Sequence, residues 1–342
     1  MNLIEAATGA VERLPLPDSI ARVGISALVG RTGRRLAVTD PAGEAAFAAG
    51  MGAFPIAMHT DAANDQHYEL PPEFFAHVLG PRRKYSSCLY EGGATTLAEA
   101  EEVALAETAL HADLADGQDI LELGCGWGSL SLWMAERFPR ARIVAVSNSA
   151  GQRGHIEAAA SRLGLTNLRV VTADMNAFAP EGQFDRVVSV EMFEHMANWE
   201  ALLGRVRTWL RPEGRLFVHV FAHRTAPYRF DVAERADWIA RHFFTGGIMP
   251  SHGLMRQFST LFTVEREWRW NGTHYSLTAN HWLSNYDRNA ATITPILRAV
   301  YGDRAGLWRR RWRLFFLATA GLFGHAGGEA WGISHYRLRP AS

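Results

Sequence analysis

The sequence is short of the residues that staple a fold or tie it to something outside itself. Two cysteines, Cys88 and Cys125, stand in 342 residues. Neither belongs to a C-x-x-C or His–Cys spacing, which argues against a disulfide framework and against a metal site, and fits a reducing compartment. No excess of charge exists, with 35 Lys and Arg against 35 Asp and Glu. A neutral chain exerts no global pull on nucleic acid or on an anionic membrane, and no nucleic-acid partner is expected. Long hydrophobic runs are missing as well. The longest, Leu314 to Phe323, falls well short of the roughly 18 residues that cross a bilayer, so no stable membrane insertion is expected. The opening MNLIEAATGAVERLPLP has neither a basic start nor an apolar stretch, and the expectation is a cytoplasmic protein without a signal peptide. Internal repeats and low-complexity tracts do not occur.

What is present is an ordinary globular balance, 48% hydrophobic and 20% charged, enough for a large core. Residues 1–84 read as a helical, loop-rich extension. Ile20, Val23, Ala27 and Leu28 recur at helical spacing, Asp40-Pro41 opens a second helix, and Pro71 to Leu79 forms a third. The polar stretch HTDAANDQHYEL, residues 59–70, is either a surface loop or part of a site. From residue 117 short apolar strands alternate with helices: DILELG, RIVAVS, LRVVTA, FDRVVSV and RLFVHVF. That alternation predicts an α/β fold of the doubly wound, Rossmann-like kind, over residues 85–342. FTVEREWRW and ISHYRLRP would add two antiparallel strands to make seven, after a helical insert at about 224–260 that covers the substrate.

The first strand runs into ELGCGWG, residues 122–128. Glycines there permit a sharp turn and close approach of backbone to a ligand. A nicotinamide dinucleotide fits poorly. Ser129 stands where its fingerprint wants Gly or Ala, and the second strand ends in Ser147-Asn148 without the ribose-gripping acid. An acid before the loop, Glu122, suits instead a cofactor with a cationic amino-acid end. After the third strand, Asp174 can accept from an adenine amino group and Met175 can cover its ring, unless the two simply cap and fill. Behind the fourth strand lies EMFEHM, residues 191–196. In a helical turn Glu191 and Glu194 would share one side. A carboxylate–histidine pair can take a proton from an attacking amine, or from the carbocation left on a methylated alkene. Glu194 with His195 is the base candidate and Glu191 the cation-binding one.

KYSSCLY (84–90), LELGCGWGSLSLW (121–133), VSNSAGQ (146–152), EMFEHM, FFTGGIMPS (243–251) and RWRLFFLATAGLFG (311–324) follow one another in an order that resembles the cyclopropane-fatty-acid synthase superfamily of methyltransferases. The resemblance is closest to its coclaurine N-methyltransferase-like branch, and HTDAANDQHYELP, NGTHYSLTANHW and WGISHY extend it over roughly residues 15 to 338. It implies a class I fold that binds S-adenosyl-L-methionine and transfers its methyl group. Tyr85 and Ser86 would close over the cofactor. Gly124, Cys125 and Gly126 would approach its amino-acid end, Ser147, Asn148 and Gln152 its ribose, and Asp174 and Met175 its adenine. Glu191, Glu194 and His195 would be the catalytic residues, with Tyr68, Glu69, His223 and Phe316 on the substrate side. The implied partner is a small-molecule amine, with an unsaturated lipid acyl chain as the alternative. A homodimer is left open.

Departures from the resemblance bear on the acceptor. Ser87, Phe316 and Ala320 stand where the lipid enzymes resemble one another in a cysteine, a tyrosine and a second cysteine. That tyrosine belongs to a bicarbonate site, so its absence argues against cyclopropanation. Gly321 and Ala330 replace acids of the amine branch, which implies an altered amine. The aromatic-basic run at Trp308–Arg313 would suit an anionic headgroup, yet its aromatic residues fall on one helical stripe, as in a core-facing helix.

Overall fold

The computed structural model describes residues 17–37, 41–58, 70–230 and 238–342. Helices come first: α1 (Asp18–Leu36), α2 (Pro41–Met51), α3 (Pro72–Val78) and α4 (Leu97–His111). Two prolines open α3, one at the cap and one in the first turn, where their missing N–H groups leave no gap in the helix. Thr96 starts α4 with a capping box: its hydroxyl accepts the Glu99 N–H, and the Glu99 carboxylate accepts the Thr96 N–H.

The predicted alternation then appears as β1 (Asp119–Leu123), α5 (Ser129–Arg137), β2 (Arg142–Ser147), α6 (Ala150–Leu163), β3 (Leu168–Thr172), β4 (Phe184–Val190), α7 (Trp199–Trp209) and β5 (Leu210–His223). β1 is buried along its whole length, as a central parallel strand with helices on both faces must be. Two short strands, β6 (Tyr228–Arg229) and β7 (Ile248–Met249), flank α8 (Trp238–His242). β8 (Phe262–Asn271), α9 (Gly272–Arg288), α10 (Ala290–Tyr301), α11 (Ala305–Phe323) and β9 (Trp331–Pro340) complete the chain. The main sheet has seven strands in the order β3-β2-β1-β4-β5-β9-β8. Its first five are parallel, and β9 pairs antiparallel with both β5 and β8. Strand order reverses between β1 and β4, so a crevice opens above the carboxyl ends of these two.

The segment at 224–260 differs from expectation. Its described residues form the β6–β7 ribbon, the five-residue α8 and a 3-10 turn at Leu254–Phe258. Gly246 has a φ of 76° and Pro250 follows soon after, and both interrupt a helix. Three longer helices, α9 to α11, follow between the last two strands. Trp312 and Phe316 of α11 pack with Trp282 and Tyr286 of α9 and with Phe74 of α3. Residues on both sides of position 84 thus share one core. Helix α1 lies across α11, and the Arg313 guanidinium joins Asp18 to Asp287. Gly321 belongs to this contact: a Cβ there would lie 2.5 Å from Ile25 of α1. Its lack of a side chain serves helix packing, and it does not line the third cavity described below.

Gly272, at the start of α9, meets the carbonyl groups of Trp331 and Phe323, with no room for a Cβ. Backbone cannot yield as a side-chain tip can. Gly272→Ala is expected to lower stability by about 1–3 kcal/mol, read as a lower urea midpoint at unchanged slope.

Candidate active site

The loop after β1 turns on Gly124, Gly126 and Gly128, with φ of 79°, 52° and 82°. A Cβ on Gly124 would strike Met192 at 2.5 Å, whereas one on Gly126 would meet nothing within 4 Å. That open space is a cavity, one of two that meet at this loop, and a third adjoins them at Glu191. The first is lined by Tyr85, Ser86, Glu122, Cys125, Trp127 and Ser129. A second, across the loop, is lined by Ser147, Asn148, Gln152, Met175, Met192 and His195. The third reaches under α8, α9 and α11 and encloses about 790 Å³ not filled by atoms, its open mouth included. Glu191 is on the wall of all three, and Gly124 and Gly126 are on the walls of the first two.

Polar groups on these walls suit a cofactor with an amino-acid end and a nucleoside end. The Trp127 indole N–H, the Ser129 hydroxyl and the Gln152 amide nitrogen are buried without a partner among the described residues. The Ser147 hydroxyl donates to Gln152 Oε1 at 2.6 Å and so turns that amide. Glu122 is buried, accepts from the Ser131 hydroxyl, and is pushed up to about 7 by burial. A cationic ammonium beside it would restore its charge. Burial also pushes the Cys125 thiol well up, so this residue serves the loop by its backbone rather than as a nucleophile. Asp174 is not on the cavity wall. Its carboxylate accepts the Asn176 N–H at 2.7 Å, the capping alternative, while Ala173 and Met175 line the cavity on either side. Among the described residues no cluster of His, Cys, Asp and Glu could hold a metal ion.

Glu191 sits at the junction in an unusual backbone, with φ of 49°. A non-glycine residue there is strained by about 1–3 kcal/mol and has to be held. Its Oε1 accepts the Ser87 N–H at 2.9 Å and faces His219 Nε2 at 3.3 Å. The Tyr275 hydroxyl donates to Oε2 at 2.7 Å. Glu101 steadies the loop that carries Ser87 by accepting the Arg82 and Lys84 N–H groups at 2.8 and 3.2 Å. The buried Lys84 ammonium donates to the Ser86 hydroxyl and to the Ser87 carbonyl. Burial raises the Glu191 carboxyl, and the Lys84 charge and the two donated bonds oppose that rise.

The expectation that Glu191 and Glu194 share one side fails for a physical reason. The turn begins only at Phe193, and the left-handed backbone at Glu191 breaks the three-residue relation. Glu194 lies beneath, fully buried, with Oε1 accepting the Phe221 N–H at 2.7 Å and Oε2 without a partner among the described residues. Burial and the Glu191 charge raise it well above the carboxylate range. It lines none of the three cavities. His195 lines the second and third, its ring 4.4 Å from that of Phe244.

Two further substrate-side candidates point elsewhere. His223 Nδ1 accepts the Ala226 N–H at 3.0 Å, and its ring packs on Trp331. Phe316 is buried among Trp282, Tyr286 and Trp312, while its neighbour Phe315 faces the third cavity. Tyr68 and Glu69 lie outside the described residues. Unforeseen wall residues are Phe221, Phe244, Tyr275, Trp282 and Phe315. Several of these fall inside motifs quoted above, but linear spacing does not say which of two adjacent aromatics faces a cavity.

Comparison with known proteins decides the family. The model of the mycolic acid cyclopropane synthetase family matches residues 57–326. The chain belongs to that family. It is a methyltransferase dependent on S-adenosyl-L-methionine. It is 34% identical over 285 residues to (S)-coclaurine N-methyltransferase of Thalictrum flavum subsp. glaucum, covering 82% of this chain and 79% of that one. Cyclopropane-fatty-acyl-phospholipid synthase of Escherichia coli is 30% identical over 270 residues, covering 78% and 66%. A crystal structure of coclaurine N-methyltransferase bound to N-methylheliamine and S-adenosylhomocysteine superposes with a TM-score of 0.92 at 31% identity, over 99% of this chain and 100% of that one.

Because Gly126 opens onto the first two cavities at a φ of 52°, Gly126→Val is expected to strain the loop and to lower S-adenosylhomocysteine affinity by at least about 100-fold, with valine also filling the cofactor's space. Calorimetric titration of the folded variant checks this, and unchanged affinity would remove the loop from the cofactor site.

Proposed function

We propose that the protein methylates a secondary or tertiary amine carried on an aromatic scaffold. The observation that carries this reading is the third cavity: aromatic walls from Phe221, Phe230, Phe244, Tyr275, Trp282 and Phe315 surround Glu191 and His195. Aromatic faces and one carboxylate are what a cationic amine on a flat ring system needs for recognition. An acyl chain has no use for the carboxylate. The similarity to (S)-coclaurine N-methyltransferase supports the same reading, and the position implied to hold bicarbonate offers only the buried ring of Phe316. Among the described residues no helix is long and apolar enough to cross a membrane.

The bound cofactor supplies a methyl on a positive sulfur that leaves as a neutral thioether, so no acid is needed on the donor side. The acceptor is the harder half, because an ammonium has no lone pair. We assign Glu191 to receiving a secondary amine's proton, with Ser87 and Tyr275 holding its two oxygens in place. His195, on the wall shared by the second and third cavities, is the other group that reaches the acceptor. Glu194 becomes a positioning residue: its bond to the Phe221 N–H ties the EMFEHM turn to β5.

Turnover on tetrahydroisoquinoline amines should rise from about pH 7 to 9, since the amine must be neutral to attack, and a carboxyl raised by burial acts in the same direction. Glu191→Gln should lower kcat by about 10² to 10⁴, and His195→Ala by a smaller factor. Parallel assays use these amines and vesicles of unsaturated phospholipid, each with and without bicarbonate. Turnover on vesicles alone, lost without bicarbonate, would replace the amine reading by lipid cyclopropanation.

A further inference from the structure

Behind Glu191 lies a row of buried histidines that the chemistry above does not use. His219 on β5 and His335 on β9 are directly paired across the antiparallel ladder, and His111 ends α4 on the same side of the sheet. Their ring nitrogens form a continuous sequence. Glu191 Oε1 is 3.3 Å from His219 Nε2. His219 Nδ1 is 2.8 Å from His335 Nε2, and His335 Nδ1 is 2.8 Å from His111 Nδ1. His111 Nε2 is 3.2 Å from Glu107, whose side chain is 38% exposed. Every ring therefore spends one nitrogen towards Glu191 and the other towards the surface. Imidazoles set among inward-facing strand residues are an expensive way to fill a core. Trp268 stacks on His111 at 3.9 Å, and Trp270 packs edge-on against His335 and His219, fixing the rings.

We propose that His219, His335 and His111 form a proton link between Glu191 and the protein surface at Glu107. It rests on the reading that Glu191 receives the amine proton. Burial, with Lys84 near His219 and His335, Arg269 near His335 and Arg337 near His111, disfavours a charge on any of the three. Each neutral ring then holds one proton, and the row has two arrangements. With Glu191 protonated, its O–H donates to His219 Nε2, and the ring protons sit on His219 Nδ1, His335 Nδ1 and His111 Nε2. Transfer moves one proton across each contact: Glu191 to His219, His219 to His335, His335 to His111, and His111 to Glu107. One proton enters and one leaves, and only O–H and N–H bonds change. Glu191 is thereby freed while substrate and product still fill the cavity. A proton entering at Glu107 resets the row, and Glu191 sheds it to water once the cavity opens.

Two measurements test the link, one of them independent of turnover. Nitrogen-15 spectra of the ring nitrogens, recorded against pH without substrate, should show all three histidines exchanging their protonated nitrogen at one shared midpoint. In Glu191→Gln that common switch should vanish. Rings that titrate independently, or a switch that survives Glu191→Gln, would overturn the link. With amine substrate, His111→Ala should lower kcat about tenfold or more, leave S-adenosylhomocysteine affinity within about twofold, and recover kcat on addition of free imidazole. Glu107→Gln, at the partly exposed end, should lower kcat in the same direction should His111→Ala not fold. Full kcat in either variant, or a loss in His111→Ala that imidazole does not restore, would also overturn it. If the wild-type protein methylates no amine, the amine reading fails, and the shared switch alone still decides the link.

Discussion

The site depends on one buried carboxylate held in a backbone conformation that glutamate does not choose. At Glu191 the chain leaves β4 with positive φ, and this twist points the side chain into the junction of three cavities instead of along the turn that follows. The strain is tolerated because partners arrive from all sides: the Ser87 N–H from the loop before α4, the Tyr275 hydroxyl from α9, and His219 from β5. Loosening any of these elements would release the side chain. The close fit of Gly272 against β9, and the pinning of the 80–87 loop by Glu101, therefore bear on chemistry as well as on stability.

Two carboxylates three residues apart thus have different lives. Glu191 keeps contact with the cavities and with a nearby ammonium, Lys84. Glu194 is sealed under the turn, where burial and its neighbour's charge raise it well above its ordinary value. Environments that separate the proton affinities of two like groups commonly mark which of them does acid–base work. Here the one facing the cavity is the one assigned to it.

Much of this was legible in the sequence, and the failures have definite causes. Alternating apolar strands and helices foretell the seven-stranded sheet, and the glycines after β1 foretell a sharp turn open to a cavity, because both follow from local backbone preference. The sequence also located the acidic turn behind β4. It did not reveal that Glu191 and Glu194 diverge, since positive φ at a glutamate leaves no residue-type signature. Phe316 stands where the resemblance implies a substrate-side tyrosine, whereas its neighbour Phe315 lines the cavity, because the aromatic stripe of α11 is wide enough to face core and cavity at once. His219 and His335 were visible as polar interruptions in RLFVHVF and ISHYRLRP. Their pairing required the register between two strands separated by more than a hundred residues.

The central claim is that Glu191 receives the proton of the bound amine. Isothermal titration of a tetrahydroisoquinoline amine into the S-adenosylhomocysteine complex, repeated near neutral pH in buffers of different ionisation enthalpy, measures this directly. The account predicts that the proton count on amine binding differs between the wild-type protein and Glu191→Gln, because the carboxylate can hold the amine's proton in the buried site and the amide cannot. The same proton count for the wild-type protein and the variant would contradict it.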